Sequence, residues 1–149
     1  MMKKTVLTVC ILAMLTACAK SGVESGSMNN TASLTEELVN KAGDKVYFAF
    51  DRSSLSKEAK ETLAKQIELM NKCDKVNFVI EGHADQRGTS EYNIALGERR
   101  ANAVKSFLMS KGVASERLTI ISYGKQKLSD TGTTEDAYSK NRRAVTIVE

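Results

Sequence analysis

The most informative feature of this 149-residue sequence is what it lacks, because it has no proline, no tryptophan and a single histidine. One histidine, His83, among scattered carboxylates favours a structural hydrogen bond over a metal site or acid–base catalysis. The sequence also has no serine or cysteine nucleophile motif and no zinc-type cluster of histidines and cysteines. We therefore predict a binding protein that uses no metal or cofactor, rather than an enzyme.

The sequence also lacks an apolar run of the roughly 20 residues that a membrane-spanning helix needs. Near its start, the shorter apolar segment TVLTVCILAML follows two lysines and ends at the residues L-T-A-C, of which the last is Cys18. This pattern is similar to the bacterial lipobox, so we predict that residues 1–17 are a cleaved lipoprotein signal peptide and that Cys18 carries a multiple-acyl anchor. Ala19 follows instead of Asp, which favours delivery to the outer membrane. The alternative is a plain secretory signal with a cysteine there by chance.

Charge and cysteine content are both low. The formal net charge is +4, and it falls to about +2 without the two lysines of the predicted signal, which is too small to indicate a nucleic-acid or membrane-surface partner. Of the three cysteines, Cys10 leaves with the signal and Cys18 is consumed by lipid. Cys73 then stands alone, so no intramolecular disulfide can form and the hydrophobic core must hold the fold.

Residues 18–44 are rich in Ser, Gly, Asn and Thr and are predicted to form a flexible tether, with a short helical turn over 36–41. Residues 45–149 alternate between strand and helix patterns. The predicted strands span residues 45–50, 75–81, 118–123 and 144–148, and the predicted helices span residues 56–72 and 91–111. A long polar loop is expected from 124 to 141. This β-α-β-α-β-β order predicts a two-layer α/β sandwich, in which Gly97 on the second helix allows close packing.

Four segments of the predicted domain carry a family resemblance. The longest, EGHADQRGTSEYNIALGERRANAV, runs from residue 81 to residue 104. The others are VYFAFD from residue 46, ISYGK from residue 121 and YSKNRRA from residue 138. Together and in this order they resemble the OmpA C-terminal-like domain family, and the resemblance covers essentially the whole domain. It implies a domain that binds peptidoglycan without covalent attachment.

The resemblance also implies a ligand group, the meso-diaminopimelate residue in the peptide stem of uncrosslinked peptidoglycan. Carried over by motif, the binding residues are Asp85 of G-H-A-D and Arg100 of L-G-E-R-R. Diaminopimelate ends in an ammonium and a carboxylate on one carbon, so its recognition needs an anion and a planar cation close together. Asp85 would accept from the ammonium, and Arg100 would donate two charge-assisted hydrogen bonds to the carboxylate. The alternative is that the two residues only form a surface ion pair with each other.

Four further residues are expected near the same pocket. Asn93 and Leu96 precede the motif arginine by two turns and one turn of helix, and would add an amide and an apolar wall. Asp51, in the F-x-F-D element, would line the pocket from another side or stabilise its own loop. Arg142 would contact the ligand or helix ends, and the alternative is that it and the next arginine are solvated charges.

At the level of function, the resemblance implies an outer-membrane lipoprotein that faces the periplasm and tethers the outer membrane to the cell wall. It further implies a TolB-like periplasmic protein as partner, within the Tol system that acts in envelope integrity and cell division. Two other classes serve as alternatives. A peptidoglycan hydrolase would need a nucleophile or metal constellation, which the sequence lacks. Nucleic-acid binding through the arginines conflicts with the export signal and the small net charge.

Overall fold

A computed structural model describes residues 26–149, so the predicted signal peptide and Cys18 lie outside the described residues. The elements are α1 (Gly26–Glu37), β1 (Lys45–Tyr47), α2 (Lys57–Lys72), β2 (Phe78–His83), α3 (Ser90–Ser110), β3 (Leu118–Gly124), α4 (Glu135–Asn141) and β4 (Arg143–Val148). A π-helical turn over Leu38–Ala42 continues α1, and a 3₁₀ turn over Ser115–Arg117 precedes β3. Among the described helices, none combines the length and apolar character that crossing a membrane requires.

The four strands form one sheet in the order β1-β4-β2-β3. Strand β4 pairs antiparallel with both β1 and β2, whereas β2 and β3 are parallel and are connected through α3. The β-α-β-α-β-β order predicted for residues 45–149 is confirmed, and so is the two-layer α/β class, with α4 inserted before the last strand. Because β1 and β2 are both antiparallel to β4, their C-terminal ends lie at the same edge of the domain, together with the start of α3.

The two long helices form where sequence periodicity predicted them. Ser56 accepts a hydrogen bond from the Ala59 N–H at 3.1 Å and caps α2, and Thr89 caps α3 by accepting from the Tyr92 N–H at 3.2 Å. The buried stripe of α2 packs into the core with residues of α3 and of the sheet, among them Leu63, Met70, Phe78, Ile80, Ala101, Val104 and Leu108. Cys73, just after α2, is a free, half-buried thiol.

Helix α3 lies directly on β2 at two glycines. A Cβ atom built on Gly82 would lie 1.8 Å from the Gly97 carbonyl oxygen, and one built on Gly97 would lie 2.3 Å from Ser122 Oγ. Neither position has room for a side chain, which confirms the predicted close packing at Gly97. The contact fixes the helix against the strand beside the cleft described below.

The prediction of a flexible tether up to residue 44 is wrong for its C-terminal part. Residues 26–42 are helical, and Leu34, Leu38 and Ala42 are buried in the core. Their four-residue spacing places all three on one face of the helix, an apolar pattern that the surrounding Ser, Thr and Asn residues obscured in the composition.

The polar loop predicted from 124 to 141 also contains a helix, α4. The Thr134 side chain accepts from the Ala137 N–H at 3.3 Å, and two acidic residues, Glu135 and Asp136, occupy the first turn, where the helix dipole favours them. The strand bounds differ as well, because β1 ends at Tyr47 and β2 runs from Phe78 to His83. These shifts bring His83 into the strand and leave Asp85 in the loop after it.

Candidate ligand-binding site

A cleft opens where the turn after β1 and the loop after β2 meet the first half of α3. Its volume is about 220 Å³. The residues that line it are Phe50, Asp51, Asp85, Arg87, Gly88, Tyr92, Asn93, Leu96 and Arg100. Five of the six residues that sequence reasoning selected for ligand contact lie in this set, although they are separated by up to 49 positions in the chain. The sixth, Arg142, is not among the lining residues.

Three of the lining side chains come from one face of α3, because they are spaced three and four residues apart. Leu96 is buried and forms an apolar wall. Asn93 is also buried, and its side-chain Nδ2 donates to the main-chain oxygens of Arg87 at 2.8 Å and Thr89 at 3.0 Å. Asn93 therefore holds the loop between β2 and α3 in place while it lines the cleft.

Arg100 lines the cleft, and its side chain is fully buried. Its Nε donates to the Arg52 carbonyl at 2.9 Å, its Nη1 to the His83 carbonyl at 2.8 Å and its Nη2 to the Ala49 carbonyl at 3.2 Å. Burial lowers the pKa of Arg100 to about 10, with Asp85 acting in the opposite direction. Arg100 thus joins the turn after β1 to the end of β2, and it stays charged at neutral pH.

Asp85 pairs with Arg87, a residue that the sequence analysis missed. Arg87 donates from Nε to Oδ1 at 3.1 Å and from Nη2 to Oδ2 at 2.7 Å, and its main-chain N–H also donates to Oδ1 at 3.1 Å. Burial opposes ionisation of Asp85, but these hydrogen bonds from Arg87 outweigh it and lower the pKa of the carboxyl group. Asp85 is therefore a carboxylate at neutral pH, and the predicted alternative of an Asp85–Arg100 surface ion pair is wrong.

The Arg87 guanidinium lies between two aromatic rings. Its Cζ is 4.2 Å from the ring centroid of Phe50 and 4.1 Å from that of Tyr138, both cation–π distances. The carboxylate of Glu135 is 3.9 Å from Arg87 Nη2. These partners come from two distant parts of the chain, the turn after β1 and helix α4, so the only local indication was an arginine two residues after Asp85.

Asp51 combines the two roles that the sequence left open. It lines the cleft, and its Oδ1 accepts a hydrogen bond from the Tyr92 hydroxyl, which raises the pKa of Tyr92. The φ angle of Asp51 is 53°, a left-handed conformation that non-glycine residues seldom adopt and that Asp tolerates better than most. In this turn the Asp51 carboxylate faces α3, where the Tyr92 hydroxyl donates to it.

The alternative of two solvated arginines before the last strand is wrong, because Arg142 and Arg143 are both buried. Arg142 donates from Nε to the Phe48 carbonyl at 2.9 Å and from Nη2 to Glu135 at 2.7 Å, and its Nη1 is 3.7 Å from Asp85 Oδ2. Arg142 therefore contributes positive charge beside Asp85 without lining the cleft.

His83 has the structural role that the sequence favoured. Its ring is buried, its Nε2 is 3.2 Å from a carboxylate oxygen of Glu81, and it stacks on Tyr123 with 5.6 Å between centroids. Within residues 26–149, no group of histidine, cysteine and carboxylate side chains is arranged to hold a metal ion. Burial and the nearby Arg143 lower the pKa of His83, against the opposing effect of Glu81.

This pKa shift predicts a pH dependence of folding. The unfolded chain binds a proton at His83 near its ordinary pKa of 6.5, whereas the folded state does so only at lower pH. The free energy of unfolding should therefore fall as the pH drops below about 6.5, and level off below the pKa of the folded state. Urea unfolding of the wild type and of His83→Gln at pH 7.5 and pH 5.0 measures this. The wild type should lose stability relative to the variant, and a pH-independent difference between them would contradict the assignment.

Together, these features define a class of protein, a two-layer α/β domain with a small cleft that presents a carboxylate and guanidinium groups side by side. The sequence profile of the OmpA family matches residues 47–142 of the chain. The chain belongs to the OmpA family. The match spans α2, β2, α3, β3, α4 and all the residues that line the cleft.

Comparisons with individual proteins agree with this assignment. The chain is 45% identical to the peptidoglycan-associated lipoprotein of Mesorhizobium japonicum over 83% of its own length and 74% of that protein. It is 38% identical to that of Pasteurella multocida over 95% of both chains. The crystal structure of the peptidoglycan-associated lipoprotein from Burkholderia pseudomallei superposes with a TM-score of 0.71 at 34% identity, over 74% of this chain and 96% of that one. This family membership makes the chain a binding protein and not an enzyme.

A more distant similarity shows the fold alone. The C-terminal domain of Helicobacter pylori MotB superposes with a TM-score of 0.62 at 18% identity, over 70% of this chain and 84% of that one. The same architecture therefore persists at low sequence identity, and the cleft residues rather than the fold must carry the functional argument.

Proposed function

We propose that the cleft binds peptidoglycan non-covalently, at the zwitterionic end of a meso-diaminopimelate residue in the peptide stem. The observation that carries the proposal is the convergence of Asp51, Asp85, Asn93, Leu96 and Arg100 on one cavity. The cavity is small enough for one amino-acid end group, and it offers both charges that such a group needs. The names of the relatives, peptidoglycan-associated lipoproteins, support the same ligand class.

Each charge of the ligand has a candidate partner in the cleft. The ammonium would donate to Asp85, whose carboxylate is ionised at neutral pH. The carboxylate would face Arg100, where main-chain carbonyls use three of the five guanidinium N–H groups and leave two. Leu96 would contact the aliphatic chain of diaminopimelate, and the side-chain oxygen of Asn93 would accept a further hydrogen bond.

A lipid anchor on Cys18 would place this domain in the periplasm, attached to the outer membrane. The proposal rests on the lipobox pattern that ends at Cys18 and on the named class of the relatives, lipoproteins, one of which aligns over 95% of both chains. Anchoring at one end and wall binding at the other would tether the outer membrane to the peptidoglycan layer. By family resemblance, a TolB-like periplasmic protein would bind the same domain, within the Tol–Pal system and its role in cell division.

Sedimentation with purified cell-wall sacculi tests the wall-binding proposal. The full chain carrying Cys18→Ser, which stays unacylated, should pellet with sacculi and release no soluble muropeptides. The same chain with Asp85→Asn should remain in the supernatant. Arg99→Gln, an exposed neighbour of Arg100, is the matched charge control and should pellet like the parent. Sedimentation of the Asp85→Asn chain at the parental level would refute the site, and release of muropeptides would indicate a hydrolase.

The anchor is tested separately. Cys18→Ser should abolish acylation and move the protein from the outer-membrane fraction to the soluble periplasm, because Cys18 is the residue on which the predicted lipid attaches. Cell fractionation with mass spectrometry of the mature protein measures this, and Cys73→Ser is the control that keeps the anchor. An acylated, membrane-bound Cys18→Ser product would rule out the proposed anchor.

A further inference from the structure

The carboxylate to which the ligand ammonium would bind is already occupied. Asp85 receives three hydrogen bonds from Arg87, two from the guanidinium and one from the main-chain N–H. Only 6% of the Asp85 side chain is exposed, whereas 36% of the Arg87 side chain is. A ligand that approaches from the cleft therefore meets the exposed Arg87 guanidinium paired with the anion it needs.

Arg87 also has a second acceptor within reach. The carboxylate of Glu135, at the exposed start of α4, is 3.9 Å from Arg87 Nη2, compared with 2.7 Å for Asp85. The rings of Phe50 and Tyr138 stay on either side of the guanidinium and would hold it during a small shift from one carboxylate to the other. Arg87 thus has two neighbouring anions in a slot that suits its planar group.

If the Arg87 guanidinium moved away from Asp85, the carboxylate would still have a positively charged neighbour. Arg142 Nη1 is 3.7 Å from Asp85 Oδ2, and it is buried without a hydrogen-bond partner among the described residues. The main-chain N–H of Arg87 also stays in place, because it belongs to the loop. The carboxylate would therefore remain oriented and charged while its guanidinium partner is exchanged for an ammonium.

Building on the proposed function, we propose that Arg87 is an internal competitor of the ligand. In the free protein the Arg87 guanidinium is paired with the Asp85 carboxylate, and a ligand ammonium displaces the guanidinium toward Glu135. Each binding event then breaks one charge-assisted pair in order to make another. The competitor lowers the affinity for every amine and so restricts binding to ligands that gain further contacts in the cleft, such as a carboxylate for Arg100.

Arg87→Met tests the competition, because methionine fills the slot between the rings without offering a guanidinium. Isothermal titration of the full chain carrying Cys18→Ser, with a soluble stem peptide ending in meso-diaminopimelate, should show about tenfold tighter binding for the Met variant. Arg87→Lys, which keeps a charge but loses the planar fork, should fall between the two. Circular dichroism of each variant checks that the fold is retained.

Glu135→Gln tests the second position of Arg87. With Arg87 present, loss of Glu135 should weaken peptide binding several-fold, since the displaced guanidinium has lost its acceptor. In the Arg87→Met background the same change should have no further effect. An effect through Arg142, which also contacts Glu135, would appear in both backgrounds. Asp136→Asn, which removes the same charge from the adjacent exposed position, is the matched control.

The four outcomes separate this inference from the proposed function. If the wild type binds the peptide and Arg87→Met binds it more tightly, both are supported. If only the Met variant binds, the competition is supported and the wild-type site is closed at the concentrations used. If the wild type binds and the Met variant binds equally or more weakly, the competition is refuted and the site stands. If neither binds, both are refuted.

Discussion

Arg100→Met is expected to lower the free energy of unfolding by about 3–5 kcal/mol, because it removes a buried cation that holds three main-chain carbonyls. The side chain is fully buried. Of the three oxygens it holds, that of Ala49 also accepts from the main-chain N–H of Arg52 at 3.2 Å. The turn after β1 would then lose its attachment to the end of β2. Urea unfolding of the variant, compared with the parent, measures the loss.

The neighbouring arginine provides the control for this change. Arg99 is exposed, and its Cζ lies 5.8 Å from the ring centroid of Tyr92. Arg99→Met should therefore change the stability by less than about 1 kcal/mol. If Arg100→Met were as stable as Arg99→Met, Arg100 would not be the structural centre of the cleft.

Asp85→Asn is expected to weaken binding of a diaminopimelate stem peptide ten- to hundredfold, because the ligand ammonium loses its charged acceptor. Asparagine has nearly the same shape, and its side-chain oxygen can still accept from the main-chain N–H of Arg87. The effect on stability should therefore be much smaller than that of Arg100→Met. Calorimetric titration together with urea unfolding of the same sample separates the two effects. Undiminished affinity of a folded Asp85→Asn protein would exclude Asp85 as the ammonium site.

The sheet and the two long helices could be predicted because their apolar residues follow simple periods. Alternating Val, Phe and Ile residues indicated the strands, and the Ser56 cap followed by a three- and four-residue apolar spacing indicated α2. The small helices were missed for a different reason. Leu34 and Leu38 are too few to dominate a segment rich in Ser, Thr and Asn, and α4 is only seven residues long.

The cleft residues could be selected from the family motif, but their burial and their hydrogen-bond partners could not be predicted from it. The sequence predicts that Arg100 lies on α3, but it does not show that carbonyls of the turn after β1 and of the end of β2 surround the guanidinium. Arg87 was missed because its partners Phe50, Tyr138 and Glu135 reach it only through the tertiary fold. Spacing along one element predicts which side chains share a face, whereas contacts between loops depend on how the whole domain packs.

Selectivity between two peptide stems tests the central claim most directly. A stem that ends in lysine keeps the ammonium for Asp85 but lacks the carboxylate that would face Arg100. Isothermal titration of the unacylated chain with matched stem peptides, one carrying meso-diaminopimelate and one carrying lysine, should show about ten- to hundredfold tighter binding of the diaminopimelate peptide. Equal affinity for the two peptides would contradict recognition of a zwitterionic end group by the paired charges of this cleft.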